Sequence, residues 1–370
     1  MFPSAKFPSV AAAIQEGISR GLHTGVQVYV SLNSRAVLDS AYGDAAAGVP
    51  MTSATLMPWR SAGKPLTALM ILKQIENQSF QLSARLSELL PETNHGDKQD
   101  VTIFDVLTHQ SGFPATETGW PHAEWSTTIE TIVSTARQLP IGTAAYHPQS
   151  SWFLLGEILR RTTSTAHLAA FNDFLTHELL EPLGLNSTSC GIQTHALAQN
   201  PGLIPTLYER DKGQLTISNY GTSPWLTETS PGGNLRGPIR ELGVFLELLL
   251  RDGKLPDGTP FVSSSTIQQM TMRHRVNQFD QTLQHVIDFG LGVICNSNRH
   301  GLETVPYGFG RHASESAFGH GGSQCSMGFC DPHHGLVVVW SANGFCGEGQ
   351  HQRRNRLINE AIYKDLGLIS

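Results

Sequence analysis

The segment Trp59-Arg60-Ser61-Ala62-Gly63-Lys64-Pro65-Leu66-Thr67-Ala68-Leu69-Met70-Ile71-Leu72 decides how the rest of the chain is read. It places a Ser-x-x-Lys at the edge of an apolar run, and residues three apart on a helix share a face, so the Lys64 amine can reach the Ser61 hydroxyl. Pro65 fixes the geometry further. Proline is tolerated only in the first turn of a helix, so Ser61 to Lys64 should form the entrance and Leu66 onward the buried interior. Of the seven lysines, only Lys64 has a serine three residues before it. The first turn also supplies unpaired N–H groups and the positive end of the helix dipole, which suit a developing oxyanion.

Outward from this segment, the totals narrow the field. A chain of 370 residues, 15% charged and 39% hydrophobic with a net charge of -6, suits one large domain or two of ordinary size. No basic cluster offers a surface to nucleic acid or anionic membrane, and no apolar run approaches the roughly 20 residues of a membrane span. The start, Met1 to Pro8, lacks the charged and apolar regions of a secretion signal, which leads us to expect a cytoplasmic protein. Five scattered cysteines, Cys190, Cys295, Cys325, Cys330 and Cys346, argue for reduced thiols. Cys325, Cys330, His333 and His334 do not have zinc spacing, so neither metal nor cofactor is expected. His109, His122, His274 and His285 read as surface or satisfied polar residues.

Helical spacing runs through Val10, Ile14 and Ile18, and then Val26, Val28 and Val30 alternate with polar neighbours before an Asn33-Ser34 turn and a return strand at 35–42. A helical segment at 82–90 stops at Pro91. Helical periodicity recurs at 102–109, 127–138, 149–162, 167–181, 235–252 and 263–272, separated by Pro- and Gly-rich connectors. Strands return at 289–295, 323–331 and 336–340, the last apolar throughout, as in a strand covered on both faces. A helix over 350–366 closes the chain. The economical arrangement is α/β (α+β): one antiparallel sheet from both chain ends with flanking helices, residues 1–90 and 285–370, and an inserted, mainly helical subdomain at 91–284. A crevice between the two bodies is where pockets form.

Several segments in order resemble the serine β-lactamase and penicillin-binding protein superfamily, particularly its class C, family VIII esterase and D-aminopeptidase branch. They are Ser61-Ala62-Gly63-Lys64 with Pro-Leu-Thr-Ala following; Leu107-Thr108-His109-Gln110-Ser111-Gly112-Phe113; and Leu139-Pro140-Ile141-Gly142 leading through Tyr146 into Trp152-Phe153-Leu154-Leu155-Gly156-Glu157. Further on come Glu181-Pro182-Leu183-Gly184-Leu185, Pro231-Gly232-Gly233-Asn234-Leu235 and Gly319-His320-Gly321-Gly322-Ser323. The resemblance implies the fold just described, with Ser61 as a nucleophile that becomes acylated, Lys64 and Tyr146 handling its proton, and the Ser61 and Ser323 N–H groups as oxyanion hole. It also sets His320 beside them and Gly321 and Gly322 along the substrate.

The residue chemistry is consistent with those roles. A serine hydroxyl needs a base within hydrogen-bond reach, and a lysine or tyrosine serves only if its surroundings shift its pKa. Which of the two is the primary base stays open at this level. Two positions depart from the superfamily pattern: His320 stands where lactam-cleaving relatives often carry lysine, and Pro148 replaces the usual asparagine, whose amide contacts the lysine and the substrate. Both turn the expectation from β-lactams toward esters or small amides, by hydrolysis or by acyl transfer or cyclisation through the same acyl-serine. The partner expected is a small acyl substrate, held by an apolar wall from Tyr220 and Trp225, with Trp120 and Trp125 as further candidates.

Overall fold

The computed structural model describes residues 6–94, 96–162, 170–193, 197 and 201–369. The N-terminal stretch read for a leader falls largely outside them, as do residues 167–169 of the helix expected at 167–181. Five helices frame the site: α1 (Pro8–Ser19), α2 (Lys64–Glu76), α3 (Ser150–Thr162), α4 (Ile239–Leu250) and α5 (Glu348–Asp365). Seven strands form the main sheet. They are β1 (Gly25–Leu32), β2 (Arg35–Ala46), β3 (Val49–Pro50), β4 (Ile294–Cys295), β5 (Phe318–Gly322), β6 (Ser326–Asp331) and β7 (Leu336–Ala342), ordered β4-β5-β6-β7-β1-β2-β3.

All neighbours are antiparallel, and the two chain ends meet where β1 pairs with β7, Val28 opposite Trp340. The period of two in β1 and β7 separates two cores. Val26, Val28, Val30, Val338 and Trp340 pack with residues of α1 and α5, whereas Tyr29, Val337 and Val339 join the larger core with α2, α3 and α4. The polar members of β1 are buried as well. Gln27 donates to the carbonyls of Thr52 (2.5 Å) and Thr55 (2.9 Å) and accepts from the Ile239 N–H (2.9 Å), so no buried polar group of that side chain is left unpaired.

Helix α4 lies across the sheet although it belongs to the 91–284 interval, touching β1, β6 and β7. Gly243 lets it approach: a Cβ there would sit 2.3 Å from the Tyr29 ring, whose hydroxyl donates to Glu247 at 2.6 Å. That interval therefore contributes a covering layer to the sheet as well as a helical body.

Three expected elements are corrected. Leu235–Gly237 is a short strand pairing with Met57–Pro58 and Ser189–Cys190, and the helix expected from 235 starts only at Ile239. Pro238 explains it, because proline holds the preceding residue extended and itself suits a helix start. The strand expected at 323–331 begins at Ser326, since residues 323–325 turn the chain between β5 and β6 with Gln324 at φ 54°. Of 289–295, only Ile294–Cys295 is ladder, because Gly290 and Gly292, the latter at φ 73°, fold the chain back so that the Gly290 N–H donates to the Val293 carbonyl.

Candidate active site

The turn before α2 is held by the sheet. The Ser326 hydroxyl of β6 donates to the Trp59 carbonyl (2.6 Å) and the Ser341 hydroxyl of β7 to that of Pro58 (2.9 Å), while the Trp59 indole donates to Gly237 (3.1 Å). From this anchored turn Arg60–Gly63 makes one 3₁₀ turn and α2 follows, with Pro65 in its first turn and Lys64 to Leu72 buried. Gly63 is required by proximity, because a Cβ would lie 2.6 Å from Leu235 Cδ1. Ser61 is thereby left half-buried at the mouth of a buried helix, as its spacing predicted.

Lys64 Nζ lies 3.0 Å from Ser61 Oγ, 2.8 Å from the Pro148 carbonyl and 2.5 Å from the Gly232 carbonyl. The amine is fully buried, and burial, with the Arg60 charge behind it, drives its pKa well below the usual lysine range. A neutral amine has two N–H bonds and one lone pair. Carbonyl oxygens can only accept, so two N–H bonds go to Pro148 and Gly232, and the remaining position faces Ser61 Oγ, as a donor when the amine is protonated and as a lone pair when it is neutral. The departure at residue 148 thus has a local answer: proline lacks the amide of asparagine, but its own carbonyl holds the lysine.

Tyr146 arrives from a different part of the chain. Its ring centre lies 5.4 Å from Lys64 Nζ, and burial raises the phenol above the usual tyrosine range, so it is neutral. Its backbone N–H donates to Asp280 Oδ1 at 3.0 Å, and Asp280 is buried in a pair with Arg275 (2.8 Å). The His109 ring packs against it with centroids 4.6 Å apart. His109 is completely buried, so of the surface and satisfied-polar alternatives only the second applies, and in part: its Nδ1 accepts from the His147 N–H at 3.0 Å while Nε2 is buried without a partner. His122 is exposed, and the half-buried His274 and His285 are hydrogen-bonded to carbonyls. Nothing in the spacing marked Asp280 or Arg275, and the segment that contains His109 did not show what its ring would touch, since each acts through a contact made by the fold.

His320 stands on β5 opposite Gly328, buried, with Nδ1 2.7 Å from the Gly321 carbonyl. Since a carbonyl only accepts, Nδ1 carries the proton and Nε2 is an acceptor, buried without a protein partner. Burial and then the nearby Lys64 lower its pKa to about 3, so the ring is neutral. Its centroid is 5.8 Å from that of Tyr146.

These groups open into one cavity of about 940 Å³, lined among others by Ser61, Tyr146, His320, Gly321, Ser323, Tyr220 and Trp225, within the range of small-molecule sites. Ser323 sits in the β5–β6 turn. Gly322 does not line the cavity: a Cβ there would meet Ser326 Oγ at 2.0 Å and the Trp59 carbonyl at 2.4 Å, so this glycine lets the strand approach the nucleophile's turn. Gly321 gives way to the ring of Tyr307, 2.3 Å from where its Cβ would be, and Tyr307 also lines the cavity. Trp225 packs against Tyr220 (4.7 Å) and Trp120 (5.1 Å), giving the expected aromatic wall, but Trp125 lies apart, stacked with Phe171 and donating to Glu157. A second hollow of about 860 Å³, around Ile75, Phe80 and Phe104, is lined by no acidic, basic or histidine side chain.

Comparison with known proteins places this geometry. The chain is 24% identical over 347 residues to the esterase/beta-lactamase LipL of Mycobacterium tuberculosis, covering 85% of this chain and 76% of that one. Among solved structures it superposes on a family VIII carboxylesterase with a TM-score of 0.78 at 22% identity, covering 97% of both chains. It also superposes on EstCE1, described as a hydrolase with promiscuous acyltransferase activity, at 0.78 and 18% identity, covering 97% of this chain and 99% of that one. The family model described as Beta-lactamase matches residues 10–363, nearly the whole chain, and the protein therefore belongs to the beta-lactamase family.

Proposed function

We propose that the protein is a serine hydrolase that works through an acyl-enzyme at Ser61, on an ester or small amide. The observation that carries it is the buried Lys64 amine, with two of its positions engaged by the Pro148 and Gly232 carbonyls, a third turned to the Ser61 hydroxyl, and its pKa driven below the usual lysine range by burial. Ser61 Oγ attacks the substrate carbonyl while its proton passes to Lys64, and the Ser61 and Ser323 N–H groups receive the oxyanion. Tyr146, neutral and lining the cavity beside Ser61, is placed to pass a proton to the leaving group. His320 Nε2, an acceptor with no protein partner, holds the phenol or a donor on the substrate. Water then attacks the acyl-serine by the reverse relay.

Esters are favoured over β-lactams because His320 has no fixed charge and Pro148 offers no side-chain amide. An alcohol or amine in place of water would make the same site an acyltransferase. The wall of buried Trp120 and half-buried Tyr220 and Trp225 gives an acceptor apolar surface, and EstCE1 is described as a hydrolase with promiscuous acyltransferase activity. A cytoplasmic setting belongs to the proposal, supported by five cysteines that are all buried free thiols. Among the described residues no helix is long and apolar enough to cross a membrane.

Intact-mass spectrometry with p-nitrophenyl butyrate tests the mechanism. One acyl adduct is expected, lost in Ser61→Ala; a folded protein without an adduct, or an adduct that survives the substitution, rejects it. Repeating the reaction with added alcohols separates the two outcomes, since a hydrolase releases mainly free acid and a transferase mainly new ester.

A further inference from the structure

The residue next to the proposed nucleophile is a cation that the protein does not neutralise. Arg60 lines the cavity with Ser61 and holds φ at 51°, in the left-handed region where a residue with a side chain is uncommon. Its guanidinium lies 4.3 Å from the ring centre of Tyr220 and 5.7 Å from that of Phe345, a cation-on-aromatic arrangement. Among the described residues no carboxylate lies within ion-pair distance of it and no side chain or carbonyl accepts from it; Nη1 is buried and unpaired.

A second uncompensated guanidinium lies close behind. Arg236 is fully buried, donates to neutral acceptors, the Tyr220 carbonyl (2.8 Å) and Asn234 Oδ1 (3.1 Å), and has no ion pair among the described residues. Burial and the repulsion of Arg60 lower it to about 9. The aromatic wall thus carries Arg60 on the face of Tyr220 and Arg236 on its backbone. The two acidic residues that line the cavity, Glu117 and Glu348, are exposed, and Glu348 accepts from the Tyr307 hydroxyl at 2.8 Å.

A planar guanidinium with free donors, backed by aromatic rings and by another cation, matches the flat, two-oxygen geometry of a carboxylate. Resting on the acyl-serine reading above, we infer that Arg60 sets the substrate class: the acyl donor carries a carboxylate, which docks on the Arg60 guanidinium while the scissile carbonyl lies at Ser61. With His320 neutral, Arg60 supplies the fixed positive charge of the cavity wall.

Binding can be measured without turnover, in Ser61→Ala, from the fluorescence of Trp120 and Trp225 on titration with glutarate or with its neutral analogue glutaramide. Glutarate should bind at least tenfold more tightly, weaken with added sodium chloride while glutaramide does not, and lose at least tenfold in Ser61→Ala/Arg60→Gln, with Arg60→Lys recovering part. Equal binding of the two ligands, no salt dependence, or a glutarate affinity indifferent to Arg60→Gln overturns the inference, and the salt arm needs no Arg60 variant to fold.

Kinetics add the side of the scissile bond. Against neutral counterparts of the same length, the p-nitrophenyl monoesters of succinate, glutarate and adipate report a carboxylate on the acyl side, and 4-butyryloxybenzoate against its methyl ester reports one on the leaving group. The anionic-to-neutral ratio of kcat/KM should exceed ten for an acyl-side pair and collapse in Arg60→Gln, chiefly through KM. A ratio raised only for the leaving-group pair rejects the acyl-side assignment. Absence of turnover on every ester, with glutarate binding intact, counts against the acyl-serine mechanism and leaves the carboxylate site standing.

Discussion

The corner around Ser61 and the wall around Trp225 enclose the same cavity but are built on opposite principles. In the corner, each functional atom is held by directional bonds: three on the Lys64 amine, two sheet hydroxyls on the preceding turn, and a buried Asp280–Arg275 pair behind the Tyr146 backbone. In the wall, Trp120, Tyr220 and Trp225 meet edge to face, and Tyr220 and Trp225 are half-buried on loops. Ring contacts fix a surface but not an atom, since each edge-to-face pair contributes only about 0.5–1.5 kcal/mol beyond burial. The difference teaches where each property resides: the chemistry in a corner that tolerates little displacement, the choice of substrate in a wall that can be recut.

The largest effects should follow from breaking the corner. Lys64→Ala is expected to lower the acylation rate by ~10²-fold or more in a stopped-flow assay with a p-nitrophenyl ester, and Tyr146→Phe by about 10²-fold, the scale for losing a positioned proton carrier. Near-native rates in both would show that neither group handles the Ser61 proton. Asp280→Asn would leave Arg275 buried without its anion and should cost roughly 3–5 kcal/mol of stability, read as a lower denaturation midpoint in urea; an unchanged midpoint would mean that this support is dispensable.

The wall should give smaller and more selective changes. Trp225→Ala is expected to alter the preference between short and long acyl chains by about tenfold or less, the range for a hydrophobic subsite, with the maximal rate on the best ester kept within a few-fold. A loss as large as that of Lys64→Ala would erase the distinction drawn between wall and corner.

The pH profile sharpens the contrast most finely. Lys64 is shifted below its usual range by burial, so activity should fall on acidification as the amine gains a proton, with the inflection below the usual lysine range. His320, lowered to about 3, should contribute no inflection near 6.5. An inflection at 6.5 that vanishes in His320→Gln would contradict its neutral, buried state. Stability carries its own signature. The folded-state pKa values of His23 and His147 are lowered to about 3, so below 6.5 the unfolded chain binds protons that the native state refuses. Each then costs up to ~1.4 kcal/mol per pH unit between about 6.5 and 3, and the thermal midpoint should drop across that window.

Legibility followed the same division. The helix entrance was readable because it is local: three-residue spacing and Pro65 act within one turn, and alternation along β1 and β7 reports the pleat directly. Elements set by distant pairing were misread, as at Leu235–Gly237, where ladders to Met57–Pro58 and Ser189–Cys190 override a helical run. For His109 the surface and buried alternatives stay open in the sequence, because a histidine's type does not say whether it will be covered. The lysine's carbonyl partners had no signature at all, since every residue carries a carbonyl and only the fold chooses Pro148 and Gly232.

By itself, then, the order of residues determined which hydroxyl and which amine share a helix face, that a phenol and a glycine-rich strand accompany them, and that both chain ends supply one sheet. Tertiary structure alone decided that the amine would be buried and aimed at the hydroxyl, that Gly322 would serve the turn and not the cavity, and that Arg60 would be left without a counter-ion. Spacing and periodicity are properties of consecutive residues. Desolvation, the direction of a lone pair and the absence of a partner depend on everything the chain brings within a few ångströms, from any distance along it.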